Sequence, residues 1–182
     1  MSCDITHGRA ESCKSAVSGL DAIYFINYEA GLADTATYDG TNTDLITGLS
    51  PVGNLYKYEL KGTNGFTQTI NTSRENGTTT FTQTLTVELK NQDVVTAKQV
   101  KLLAYGRPHV VVRTTGNQYF IVGLRRGADM TAGSIESGVK MSDFNGYKLT
   151  FTAEEICYAN FLDCDTESEL ATLMDGATVT AS

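Results

Sequence analysis

The chain has 182 residues, 14 Lys plus Arg against 21 Asp plus Glu, a formal net charge of -7 and 41% hydrophobic residues, which predicts one soluble domain with a full core. Its 26 Thr, 9 Tyr and 7 Phe, beside 2 Pro and no Trp, point to a mainly β fold. The acidic balance excludes capture of nucleic acid by clustered cations; no apolar run approaches the roughly 18 residues of a membrane helix, and no basic-then-apolar leader is legible, so a cytosolic chain is expected.

Residues 1–19 are polar and Ser/Gly-rich and read as an N-terminal arm. Residues 20–27 form the first predicted strand. Residues 28–54, closing on Ser50-Pro51, lack clear periodicity and are long for a connection, so they read as a functional loop or a concealed hairpin. Strict alternation follows. Tyr56, Tyr58 and Leu60 alternate with Lys57, Glu59 and Lys61; Phe66, Gln68 and Ile70 with Thr67 and Thr69; Phe81, Gln83, Leu85, Val87 and Leu89 with Thr80, Thr82, Thr84, Thr86 and Glu88. Period two predicts strands with one apolar and one Thr-coated face, and Asn76-Gly77 between the last two runs marks a hairpin.

Residues 91–105 read as a helix capped by Asn91, stopped by Gly106 and Pro108, and laid on the sheet by Val94, Val95, Leu102, Leu103 and Tyr105. Strands return over His109–Arg113 and Gln118–Leu124, separated by a Thr115-Gly116-Asn117 turn. A Gly-rich bend is expected from Gly127 to Gly138, then a strand in which Tyr147, Leu149 and Phe151 alternate with Lys148, Thr150 and Thr152. Thr166 and Glu169 have capping-box spacing and predict a short helix to about Met174, with Asp175-Gly176 as its stop.

Charge and cysteine are unevenly placed. Residues 149–182 hold seven carboxylates and no Lys or Arg, so residues 1–148 balance at 14 against 14; this acidic end reads as a solvated tail or as a segment that docks on a neighbour. Cys3 and Cys13 lie at one end, Cys157 and Cys164 at the other. They lack zinc-ligand spacing and are expected as free thiols, or as disulfides once outside a reducing compartment.

No chemistry of catalysis is legible, so a non-enzyme without cofactor or metal is expected. His7 and His109 read as structural, and no phosphate loop, dinucleotide fingerprint, nucleophile elbow or paired metal-binding histidines occur. Asp39-Gly40-Thr41-Asn42-Thr43-Asp44 offers calcium-type oxygens without the glutamate that closes a calcium loop, and reads as a polar turn.

The order of these elements, with Asn117-Gln118-Tyr119-Phe120-Ile121-Val122-Gly123 and the run from Asp143 to Thr152, resembles bacteriophage tail tube (major tail) proteins over about residues 20–155. The resemblance implies a β-sandwich or barrel with one flanking helix, a long hairpin and extended terminal arms, the β core over 20–155 and an acidic segment over 156–182. It further implies hexameric rings stacked into a hollow tube in the virion tail, assembled in the host cytoplasm. Other tail proteins, namely sheath, terminator and tape measure, are the implied partners, and DNA passes without specific binding.

A Thr-lined wall holds an extended backbone and offers hydroxyls without sticky cations, so Thr67, Thr69, Thr80, Thr82, Thr84, Thr86 and Glu88 are the lumen candidates, with Lys57, Glu59 and Lys61 less secure. A Cys3, Cys13, Cys157 or Cys164 staple between copies is a further expectation. The competing readings are a tail terminator or head-tail connector ring, and a β-sandwich module that binds carbohydrate or protein through loops 28–54 and 127–138.

Overall fold

The structure is a computed structural model that describes residues 5, 7–11, 14 and 17–181. Its strands, in chain order, are β1 (Leu20–Ile26), β2 (Thr37–Tyr38), β3 (Leu45–Gly48), β4 (Asn54–Glu59), β5 (Gly65–Ser73), β6 (Thr78–Lys90), β7 (His109–Thr114), β8 (Tyr119–Val122), β9 (Asp129–Glu136), β10 (Gly146–Glu155), β11 (Asn160–Leu162) and β12 (Thr178–Ala181). Helix α1 (Val94–Tyr105) follows β6 and helix α2 (Glu167–Leu173) follows β11. Two sheets result, β12-β4-β1-β7-β8-β11-β3-β2 and β5-β6-β10-β9, so the fold is a β-sandwich with a flanking helix.

The larger sheet is covered on both faces. Ile23, Phe25, Val110, Val112 and Val122 meet Leu85, Val87, Leu149 and Phe151 of the smaller sheet, and the Phe25 and Phe151 rings lie 5.3 Å apart. The opposite face, with Tyr24, Ile46, Leu55, Val111 and Ile121, is closed by Leu170, Leu173 and Met174 of the α2 region. Two-sided burial explains why Val110-Val111-Val112 shows no alternation. The smaller sheet is apolar on its inner side alone, and its strands alternate cleanly for that reason.

The concealed hairpin expected within 28–54 is present: the stretch contains a short 3-10 turn (Leu32–Thr35) and the antiparallel β2–β3 pair. Other expectations are corrected. The helix starts later than expected: Asp93 is the cap and accepts from the Thr96 N–H, whereas Asn91 sits at φ 68 before it. Most of its apolar stripe does not lie on the sheet: Val100 is buried and Leu103 packs partly on the core, while Val94, Val95, Leu102 and Tyr105 face outward. The Gly-rich bend is instead β9, paired along β10 with one register shift between Thr150 and Phe151; as a mostly exposed edge strand it needs no apolar alternation.

The acidic C-terminal segment is no solvated tail. β11 pairs with β8 and β3, α2 caps the larger sheet, and β12 runs parallel to β4 at its edge. The charges are accommodated locally: Glu155 is buried and accepts the Arg125 and Arg126 backbone N–H at 2.9 Å each. Glu169 closes the predicted capping box with Thr166. No helix among the described residues is long and apolar enough to cross a membrane.

Candidate conduit-lining face

Cross-strand register sets which side chains share the outer face of the smaller sheet. Thr67 lies opposite Thr84, Thr69 opposite Thr82 and Asn71 opposite Thr80; on the far side of β6, Thr84 faces Thr152, Thr86 faces Thr150, Thr82 faces Glu154 and Glu88 faces Lys148. All seven predicted residues therefore stand on one face, joined by Thr150, Thr152 and Glu154 of β10. The β10 alternation was legible, but its pairing with β6 was not. Lys57 and Glu59 belong to β4 in the other sheet, and Lys57 points away to Glu167 at 2.7 Å; Lys61 follows that strand.

The face is held by short polar contacts. The Asn71 amide donates to Thr82 Oγ1 at 2.9 Å, and the Thr131 and Thr152 hydroxyls lie 3.0 Å apart. By register it carries four acids, Glu88, Asp129, Glu136 and Glu154, against two lysines, Lys90 and Lys148. Lys148 is engaged with Glu136 at 2.9 Å, and this hydrogen-bonded ammonium, with the Ser134 hydroxyl, holds the Glu136 carboxyl below its ordinary value. The balance is two negative charges, with one lysine committed to an ion pair.

Both margins of this sheet are open. β5 is an edge of nine residues with no charge and no proline, and β9 is an edge of eight whose only charges are its terminal Asp129 and Glu136. Ile70 on β5 and Ile135 on β9 have the parity of core residues yet are 63% and 62% exposed. Three successive antiparallel pairings leave β5 and β9 running in opposite directions. Beyond Phe81, where pairing with β10 ends, the β5–β6 hairpin projects as a two-stranded ribbon, turned through Arg74–Gly77 with Gly77 at φ 61.

The remaining predicted residues sit elsewhere. His109 is buried, with Nε2 accepting the Glu29 N–H at 3.1 Å, so Nδ1 carries the proton donated to the Gly123 carbonyl at 2.6 Å. The Asp39 carboxylate accepts the Asn42 and Thr41 N–H groups, which hold it below its ordinary value and make the 39–44 stretch a self-satisfied turn. Cys157 and Cys164 are free thiols; burial, reinforced by Glu169, Asp165 and Asp163, pushes the Cys164 thiol up to about 12. Cys3 and Cys13 lie outside the described residues.

Gln68 and Gln83 were expected as members of the apolar stripe and have a positioning role instead. Gln83 donates to the Cys157 carbonyl and accepts the Gly123 N–H, while Gln68 accepts the Ala159 N–H. These amides tie β5 and β6 to the 157–159 connection. Among the described residues no group of three or more His, Cys, Asp or Glu side chains could hold a metal. In comparisons with known proteins, the chain matches no family model, no curated protein and no solved structure.

Proposed function

We propose that this chain is a structural, non-enzymatic subunit of a phage tail tube, six copies closing into a ring and rings stacking into a conduit for the genome. The observation that carries the reading is a four-stranded sheet with a Thr-coated face and two open margins, β5 without charge and β9 charged only at its two ends. Unprotected edges are an aggregation hazard that solitary proteins blunt with charge, proline or a cover. Here β5 of one copy and β9 of the next have the directions required to extend one antiparallel sheet, and closure of a ring removes every free edge.

The polar face then becomes the inner wall. Threonine hydroxyls wet it, Lys148 is held by Glu136, and with four acids against two lysines the face offers DNA phosphates little to adhere to. Negative-stain electron microscopy of concentrated protein tests the reading: long hollow tubes are expected, short rings would favour a connector or terminator, and dispersed monomers would favour a binding module. Replacement of Thr82, Thr84 and Thr86 by Lys on the assembled wall should leave tubes intact and lower DNA delivery at least about tenfold, because each new cation adds a phosphate contact. Unchanged delivery would remove these residues from the wall.

A further inference from the structure

The two flanks of the sandwich are chemically opposite. On the β9 side stands α1, tied there by the Gln92 side-chain amide donating to the Glu136 carbonyl at 2.8 Å. The helix leaves Val95 and Leu102 61% and 55% exposed. It contains Lys98 and Lys101 and no acid, Asp93 being its cap, and exposed Arg107 follows.

On the β5 side stands β11. Phe66 of β5 is 6.2 Å from Phe120, which is 4.5 Å from Phe161 of β11. Phe161 is 39% exposed beside a groove of about 430 Å³ that is edged by Asp44, Asp163 and Asp165. All three acids are exposed. Of the cations nearby, Arg125 is 3.8 Å from Asp34, and Arg113 donates to Asn117 at the groove's edge at 2.8 Å.

We propose that α1 of one copy docks on the acidic, aromatic β11 flank of a second copy, with Lys98 and Lys101 meeting Asp163 and Asp165 around an apolar centre of Val95, Leu102 and Phe161. The inference rests on the tube reading and deepens it. Joining β5 of one copy to β9 of the next would turn a β11 flank toward a neighbouring α1, because Gln68 of β5 accepts the Ala159 N–H just before β11 and Gln92 just before α1 donates to the Glu136 carbonyl that ends β9. Two different surfaces meet, so the contact is head-to-tail and propagates around a ring. Complementary charge at the rim sets register and makes assembly salt-sensitive, while the apolar centre supplies the holding contact.

Charge exchange tests it. In the full-length chain, K98E/K101E should raise the protein concentration needed for rings by about tenfold or more at low salt, with the circular dichroism spectrum unchanged. D163K/D165K should do the same, and an equimolar mixture of the two variants, or the quadruple variant, should recover assembly. Normal assembly of K98E/K101E with unchanged salt dependence, or loss in each variant without recovery in the mixture, would overturn the docking while tubes formed by the unmodified chain leave the tube reading standing. Failure of the unmodified chain to form rings at any concentration would overturn the tube reading itself.

Discussion

Gly123 occupies a junction that admits no other residue. It ends β8 at φ 67, its N–H reaches Gln83 and its carbonyl receives His109. A Cβ there would lie 2.8 Å from the Ala128 nitrogen, closer than packed atoms tolerate. Gly123→Ala should therefore lower the unfolding free energy by about 3 kcal/mol, combining left-handed strain with overpacking, as measured by urea denaturation. Glu167 is held by partners distant in sequence. Partial burial pushes its carboxyl up, but the Lys57 ion pair at 2.7 Å and the Tyr24 hydroxyl at 2.9 Å outweigh this and hold it below its ordinary value. A carboxyl lowered by folding stabilises fully above its unfolded value, about 4.3, and loses that contribution as pH falls through the folded value. Glu167→Gln should cost about 1 kcal/mol at pH 7, given its partial exposure, and the gap from the unmodified chain should close below about pH 4.

At the scale of elements, α1 shows how a cap and a face are decided separately. Asp93 and Asn91 both have the chemistry of a cap, but Asn91 is in a left-handed conformation and its backbone N–H binds the Asn145 carbonyl, which anchors the end of β6 to the start of β10. The free cap role falls to Asp93, whose carboxyl the Thr96 contacts hold below its ordinary value. Asp93→Ala should lower the melting midpoint by an amount equivalent to about 1 kcal/mol, measured by thermal circular dichroism. The same variant should retain the β signature, because the helix buries only Val100 and part of Leu103.

At the scale of the whole molecule, the margins matter more than the core. Ile70 and Ile135 make no essential contribution to a solitary copy, since each is mostly exposed, yet both stand where a neighbouring strand would cover them. Ile70→Lys should change the unfolding free energy by no more than about 0.5 kcal/mol and abolish rings and tubes in sedimentation and electron microscopy, because a charge on an edge is a standard block to pairing. Ordinary tubes from that variant would exclude β5 from the joint between copies.

The strands of the smaller sheet, its hairpin and its Thr face were legible because that sheet buries one side only and its side chains alternate with period two. The α2 capping box was equally local, a matter of Thr166 and Glu169 three residues apart. The position of β12, the pairing of β10 with β6, and the roles of Gln68, Gln83 and Asp93 were decided by tertiary structure. Each depends on which backbone groups are already occupied by segments distant in sequence, as with Gly123 and Gln83, 40 residues apart. The outward face of α1 has the same origin: its apolar side chains suited a buried stripe, but within the fold only Val100 and part of Leu103 find a core to cover them.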